Sequence, residues 1–534
     1  MSRVFHSVWQ VICVAALLTI VACGKKEAGL GDDPYAGGKP PIGVTFENLN
    51  RPLPPARPND VIMVSVRGLK EYESNLEAFI NEELSQVVMV TDSTMELRLP
   101  LNVSSGILKV KIDEQIFFGP KVTVEGKVSI DRDYGIVNGY NGTVAQLLSV
   151  SPNIWAVGAF TDFENEASAT VFRNGISALN STGKSITEVA AYNPQRGAEG
   201  GLNSIARLPD GKFIVGGPMA SYNRHLVVGL TRLNSNGSLD TATVELINTT
   251  PEKPENAFDT LPAFNANLLG TVVKVFATPD TGVIAVGGFS LHSYVNYTYS
   301  SRETKSHFFT EVNNIVRLKS NGRVDSSFAY NNPRANGFVS DAVQLTDGRI
   351  IVVGSFTTFS GHTANRIIAF NPDGSVNTTF AANIGAGANS DIFSITYNPV
   401  QNKIALTGRF TSFAGAPHNG VVILNADGSI DNTFKLGDTE GRIANYAYVM
   451  NSGKILVSGD FVRYNGINRS QLLILEANGE ALQEYNNLGA FTGRISSILE
   501  TTSSLGHPAL LISGSISMAD GRPVGNIFKL EIRN

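Results

Sequence analysis

From about residue 126 onward, short apolar, β-branched runs alternate with polar turns, and the alternation recurs. Each cycle carries a run ending in Gly-x-Phe: Val157-Gly158-Ala159-Phe160, Val286-Gly287-Gly288-Phe289, Val353-Gly354-Ser355-Phe356, Thr407-Gly408-Arg409-Phe410 and Ser458-Gly459-Asp460-Phe461. Weaker copies stand at Val215-Gly216-Gly217-Pro218 and Ser513-Gly514-Ser515-Ile516. A polar turn follows, clearest at Asp427-Gly428-Ser429-Ile430-Asp431. Short runs bounded by such turns predict strands.

The fourth cycle shows the expected unit. Phe338 to Leu345 and Ile350 to Val353 flank the tight turn Thr346-Asp347-Gly348-Arg349. Ile367 to Phe370 leads to the turn Asn371-Pro372-Asp373-Gly374, and a short segment ends in Phe380. That predicts four strands per unit and seven units. Glycine after each β-branched run suits a bulge or a close backbone approach.

Gly354 to Gly374, Gly408 to Gly428 and Gly459 to Gly479 all span 20 residues, and 20 residues past Gly514 is Asn534. The seventh unit therefore lacks its turn. An unclaimed copy, Gly126-Lys127-Val128-Ser129-Ile130-Asp131, precedes the first unit and resembles Gly428-Ser429-Ile430-Asp431. A closed ring must hold its first and last blades together, and a blade built from both ends does so. The expected fold is therefore all-β, with a seven-bladed β-propeller over 126–534 closed by strands from both ends of the repeat region. A superhelical solenoid is the competing reading. Two long intervals, Gly216 to Gly287 and Gly287 to Gly354, place insertions near Asn248 to Gly270 and Ser290 to Val312. Extra length in repeat proteins usually maps to one face.

The front of the chain reads differently. A basic start, the apolar stretch Val11 to Ala22 and the sequence Ile20-Val21-Ala22-Cys23 predict a lipoprotein signal peptide over 1–22. Cys23 would then carry lipid, and 23–39 is a polar, Gly-rich tether. The alternative is an ordinary secretory signal. Cys13 and Cys23 are the only cysteines, so the mature chain would have no thiol for a disulfide, nucleophile or metal site. Residues 40–125 predict a small immunoglobulin-like β-sandwich, with strands at Val61 to Val66, Gln86 to Thr91, Met95 to Leu99 and Ile107 to Ile112. Leu76 to Leu84 reads alternatively as one or two helical turns.

Leu202 to Gly217, with the later Leu233-Asn234-Ser235-Asn236-Gly237-Ser238-Leu239-Asp240, resembles the delta-60 repeat family of bacterial β-propellers. Residues 40–125 resemble an IPT/TIG-type domain that fronts lipoproteins of Bacteroidetes-type bacteria. The resemblance implies architecture and a cell-envelope location, with the outer membrane as the expected site and either leaflet open; it implies no activity. Pro218 departs from the repeat's usual aromatic.

Candidate chemistry is sparse. There is no HExxH, nucleophile elbow, phosphate loop or EF-hand spacing. Asp347, Asp373 and Asp427 read as turn residues, and Asp240, Asp325 and Asp431 as caps for backbone N–H groups. Arg366 and Arg469 read as hydrogen bonders repeated within the blades. His225, His292, His307, His362, His418 and His507 show no ligand spacing, so no metal and no cofactor are expected. The net charge is −5 with no basic run, which argues against nucleic acid. A catalytic site gathered from several blades would leave no linear motif, so the enzyme reading stays open.

The second insertion holds the ligand-binding candidates His292, Tyr294, Tyr297, Tyr299, His307, Phe308 and Phe309. Such aromatics stack on sugar faces, bury a protein hot spot, or pack the insertion onto its own blade. Phe359, Phe413 and Tyr464 recur at matching positions and read mostly as blade core. The expectation is a noncatalytic cell-envelope binding protein, held to the membrane by its N-terminal lipid, with a glycan or envelope protein as partner. The alternatives are a polysaccharide hydrolase or lyase with its site at the propeller funnel, and a structural part of an outer-membrane assembly.

Overall fold

The computed structural model describes residues 42–47, 49–166, 173–186, 197–328 and 334–533. Alternating apolar positions in the front segment form seven strands: β1 Thr45–Phe46, β2 Val61–Arg67, β3 Leu76–Ile80, β4 Glu83–Val90, β5 Thr94–Arg98, β6 Gly106–Ile112 and β7 Gln115–Val122. They hydrogen-bond in the order β1-β2-β5-β4-β3-β6-β7, all antiparallel. β4 pairs with β3 over 83–85 and with β5 over 86–90, the second pairing carrying a bulge between Val87 and Met89. β1 also lies against β7, so the sheet folds over a single core of Val64, Val66, Met95, Leu97, Val110 and Ile112 among others. Leu76 to Leu84 is not helical. Leu76, Ala78 and Ile80 point inward with strand period, and only Lys70–Tyr72 forms a short 3-10 turn.

Among the described residues seven blade sheets follow, with smaller two- and three-stranded sheets beside them. The inner strands of the blades are Thr143–Val150, Ser204–Arg207, Asn267–Ala277, Val339–Gln344, Ile392–Asn398, Ala444–Val449 and Thr492–Thr502. Each inner strand packs against the next, and the last packs against the first. That closes the ring as a β-propeller and excludes the open solenoid. The seventh blade takes its outer strand from the front of the repeat region: Val128–Ile130 pairs antiparallel with Ile527–Ile532, setting Ile130 opposite Leu530.

In the first six blades the expected fourth strand shrinks to a single bridge, such as Leu424 to Ile430. The reason lies in the turn. Asp431 accepts from the Thr433 N–H at 3.0 Å and pairs with Lys403 at 2.8 Å, so a side chain replaces the ladder. Asp325 caps Ser327 in the same way, and Asp240 pairs with Lys212 and Arg232. The segment ending in Phe380 is likewise no strand. Asn377 caps the Phe380 N–H at 2.7 Å and starts the helix Thr378–Ile384.

The recurring glycine has a steric cause. The inner strand bulges opposite this glycine, and a Cβ on Gly354 would collide with the Phe338 carbonyl oxygen. Gly158, Gly408 and Gly514 face the same obstruction in their own blades. In the turns, Asp373 and Asp427 accept from Ser375 and Ser429 N–H groups, which is turn geometry and not a cation site.

Polar side chains join every pair of neighbouring blades around the channel. Gln146 bonds both backbone groups of Ile205, and Asn203 reaches the Val272 carbonyl. Lys274 pairs with Asp341 at 3.4 Å, and the other Asp341 oxygen accepts from the Ile395 N–H. Thr396 donates to the Ala447 carbonyl, Asn451 N–H to Glu500, and Leu147 N–H to Ser497. Seven junctions thus each carry a directional bond in addition to apolar packing.

Candidate functional site

Antiparallel blades place the second-to-third-strand hairpins and the links between blades on one face, and the remaining turns on the other. Both insertions belong to the first set, which we call the loop face. There they merge into one projection. The second strand of blade three extends to Val283–Val295 and pairs beyond the blade with His307–Glu311. The link from blade two forms the hairpin Thr241–Glu245 with Phe258–Pro262. The two parts are tied by the Ile247 N–H to the Ser300 carbonyl at 2.9 Å, by Lys305 to Asp259 at 2.8 Å, and by Arg302 to Asn256. Each insertion is legible in the sequence; their union is not.

The projection divides the predicted residues. Tyr294 pairs with Phe308 across the sheet, and their rings stack at 5.6 Å. The Arg323 guanidinium lies 2.9 Å from the Tyr294 ring centre, so this tyrosine is sandwiched. His292 lies on the same side and is buried, its Nε2 2.8 Å from the Gly322 carbonyl. Burial holds its pKa below the ordinary value, with Arg323 adding in the same direction against the Gly322 bond. Phe309 and His307 lie on the opposite side, ring centres 6.3 Å apart. Tyr297 is half-buried in a 3-10 turn, and burial raises its phenol pKa. The seven candidates therefore do not converge. Tyr299 is 67 % exposed and Phe309 60 %, and Phe308 also presents its ring to solvent.

Further exposed residues went unmarked in the sequence. Phe258 lies on the first insertion, Leu226 on the blade-two hairpin, and Phe338, 84 % exposed, just ahead of the fourth inner strand. Phe338 reads in sequence as the first residue of an apolar strand; the bulge that turns it outward is tertiary. Val137 and Val462 also lie on the loop face. On the opposite face of the propeller the large exposed apolar residues, among those described, are Val400 and Leu505. This asymmetry marks one face as sticky.

The N-terminal domain docks at the loop-face edge of blades six and seven, across the ring from the projection. Arg469 donates to the Asn102 carbonyl at 2.7 Å, Asn468 to the Asn81 carbonyl, and Asn487 to the Val103 carbonyl. Arg469 thus serves as an interdomain clamp, whereas Arg366 keeps the expected role within the propeller, reaching the Ala388 carbonyl.

The channel offers little reactive chemistry. Asp341 and Glu500, the carboxylates at its blade junctions, are engaged as described above. Burial raises the Glu500 pKa, opposed by its bonds from Asn451 and Tyr448. His362 and His418 sit on neighbouring hairpins, and no cluster of three or more metal-ligating side chains occurs among the described residues. Cys23 lies outside the described residues.

Two family profiles match the chain. The domain of unknown function DUF5008 matches residues 19–120. The domain of unknown function DUF5122, described as a β-propeller, matches 208–242, 309–328, 345–380, 402–434 and 451–481. No curated protein matches. Among solved structures, a protein of unknown function from Bacteroides thetaiotaomicron is 12 % identical, with 92 % of this chain and 99 % of that one covered and a TM-score of 0.27. An auxiliary nutrient binding protein from Bacteroides ovatus is 11 % identical, with 72 % and 98 % covered and a TM-score of 0.19. The extracellular domain of a hybrid two-component system from B. thetaiotaomicron is 15 % identical, with 78 % and 51 % covered and a TM-score of 0.32. Likeness this loose assigns no function. The propeller profile falls on five separate stretches of the repeat region, in keeping with the ring of blades that the strands form.

Proposed function

We propose that this chain is a noncatalytic binding protein of the bacterial cell envelope. It is anchored by lipid at Cys23 and holds a glycan on the loop face of its propeller; an envelope protein is the second candidate partner. The supporting observation is the concentration of exposed aromatic and aliphatic side chains on that face, with Tyr299, Phe308 and Phe309 raised on a braced projection. A rigid platform loses little entropy on binding, and aromatic faces stack on the apolar faces of sugars. Within the projection Lys305 pairs with Asp259, and Glu303 accepts hydrogen bonds from the Ser301 and Thr249 hydroxyls, which braces the aromatic platform. The lipid anchor is supported by the signal and the Ile20-Val21-Ala22-Cys23 sequence.

A glycan array probed with the soluble portion starting near Asp32, followed by calorimetry on each hit, tests this reading. Saturable binding that is lost on replacing Tyr299, Phe308 and Phe309 by Ala supports it. A blank array, or binding indifferent to those changes, removes the glycan and moves the test to envelope proteins.

A further inference from the structure

The outer face of the N-terminal domain carries a second apolar surface, unrelated to the loop face. Strand register sets one transverse row across four strands: Phe118 of β7 opposite Lys109 of β6, Lys109 opposite Phe79 of β3, and Phe79 opposite Leu84 of β4. The neighbouring row sets Ile116 opposite Lys111. Phe118 is 65 % and Leu84 60 % exposed, and Ile116 is half exposed. The Lys109 ammonium lies 4.9 Å from the Phe79 ring centre and also pairs with Glu82, while Lys111 pairs with Glu77. The face is thus apolar, wide, and neutral overall.

Soluble folds seldom leave an aromatic and large aliphatics such as Phe118, Ile116 and Leu84 exposed along one sheet face without a partner. What lies next to this face points to the partner. β1 packs against β7, with the Phe46 ring beside Gly119, so the chain enters the domain next to the strand that carries Ile116 and Phe118. Between Cys23 and Ile42 lie 18 residues, a reach of at most about 60 Å. A tether that short holds the domain near its membrane at an effective concentration of order millimolar, so a weak apolar contact suffices to engage. Lysines with aliphatic stems beside aromatics suit an interface, because the ring enters the headgroup region while the ammonium stays in water.

We infer that the β3-β6-β7 face rests on the lipid bilayer, with Phe118 and Ile116 inserted at the headgroup boundary and Lys109 and Lys111 at the phosphates. This rests on the lipid anchor proposed above. The contact turns a lipid anchor into an oriented mount and fixes the direction in which the docked propeller faces.

The test uses the full chain in vesicles of phosphatidylethanolamine and phosphatidylglycerol brominated along the acyl chain. Phe118→Trp is the reporter, with Trp9→Phe in the background; Trp155 is buried in blade one and serves as the unquenched reference. Mass measurement of the purified chain establishes separately whether Cys23 carries lipid. At least twofold quenching of Phe118→Trp, with Leu226→Trp on the propeller unaffected, is the expected result. A lipidated chain whose Phe118→Trp emission matches that of Leu226→Trp overturns the membrane contact and leaves the anchor standing. An unlipidated chain overturns the anchor; quenching on added vesicles would then keep the contact, and its absence would end both. Self-association that disappears with Phe118→Gln assigns the face to a second copy and overturns the proposal.

Discussion

Lys529 Nζ lies 3.9 Å from the Asp131 carboxylate, and both side chains are almost fully buried. One belongs to the last strand of the chain and the other follows the strand that completes the same blade. Lys529 also donates to the Thr502 carbonyl and lies over the Tyr134 ring, while Asp131 accepts from the Ser504 N–H. The ring is therefore locked by a charge pair as well as by three backbone partners.

Removing one charge strands the other. Asp131→Ala leaves the buried ammonium of Lys529 without its counter-ion and frees the Ser504 N–H, a loss of about 3 kcal/mol. A lower urea midpoint measures it. Asp131→Asn with Lys529→Met removes both charges and recovers most of the loss. If Asp131→Ala is silent, the pair contributes nothing to closure.

Two adjacent glycines separate repeat geometry from composition. A Cβ on Gly287 would strike the Thr271 carbonyl oxygen, whereas a Cβ on Gly288 meets nothing within 4 Å and its backbone is not left-handed. Gly287→Ala costs about 2–3 kcal/mol by overpacking. Gly288→Ala is neutral or stabilises by about 0.5 kcal/mol through the unfolded chain. Thermal unfolding of the two variants checks the contrast, and equal shifts would refute it.

The sequence carries closure because Ile130 and Asp131 repeat Ile430 and Asp431, and both sites do the same work: a bridge to the third strand, then an acid facing a lysine. Turn chemistry at Asp427-Gly428-Ser429 is equally local and equally legible. What lies hidden depends on contacts between distant segments. The Asn377 cap is the exception: it is local, and an Asn three residues ahead of Phe380 is a helix-start signal that the strand reading passes over. Phe308 and Phe309 look equivalent in sequence, but strand pairing sends them to opposite sides. Arg469 occupies a repeat position and is diverted by a domain that packs only there.

That diversion is open to test. Burial lowers the Arg469 pKa, with Glu83 opposing, so the guanidinium is held in a dry seam where it donates to Asn102. Arg469→Ala leaves the Asn102 carbonyl unpaired and loosens the N-terminal domain without unfolding the ring. Hydrogen exchange should rise at the Ser105 N–H, which donates to the Asn487 carbonyl, and at the Asn468 N–H, which donates to Glu83, by about tenfold for each 1.4 kcal/mol lost. Blade four should stay as protected as before; a uniform rise across all blades would mean a general loss of stability instead.

Glu500 gives a pH signature of unusual sign. Its folded pKa is raised above 4.5, mainly by burial. Between 4.5 and the folded value the native state keeps a proton that the unfolded chain has released. Its contribution is therefore fully present at lower pH and is lost as pH rises through that window. Asp373 and Asp427 act in the opposite sense. Their pKa values are lowered by hydrogen bonds from Ser375 and Ser429, and their contribution fades as pH falls. Glu500→Gln keeps the acceptor for the Asn451 N–H and should flatten the first slope while leaving the second. Urea midpoints measured from pH 4 to 7 decide it; unchanged curvature would exclude Glu500 as the source.

The two faces of the projection give the sharpest test of the binding surface. Phe308 supports Tyr294, which in turn carries Arg323, whereas Phe309 lies tilted beside His307 and is largely exposed. Phe309→Ala should leave the melting temperature unchanged, and Phe308→Ala should lower it by removing a stacked pair worth about 1 kcal/mol. If ligand binds the Phe309 side, Phe309→Ala weakens it tenfold or more at constant stability, while Phe308→Ala weakens it only as far as the sheet loosens. If ligand binds the Phe308 side, the pattern reverses and Tyr294→Ala behaves like Phe308→Ala. Calorimetry and melting curves on the three single variants therefore identify the ligand-bearing side. Equal loss from Phe308→Ala and Phe309→Ala, with no change in melting, would mean that the ligand wraps the tip where Tyr299 stands.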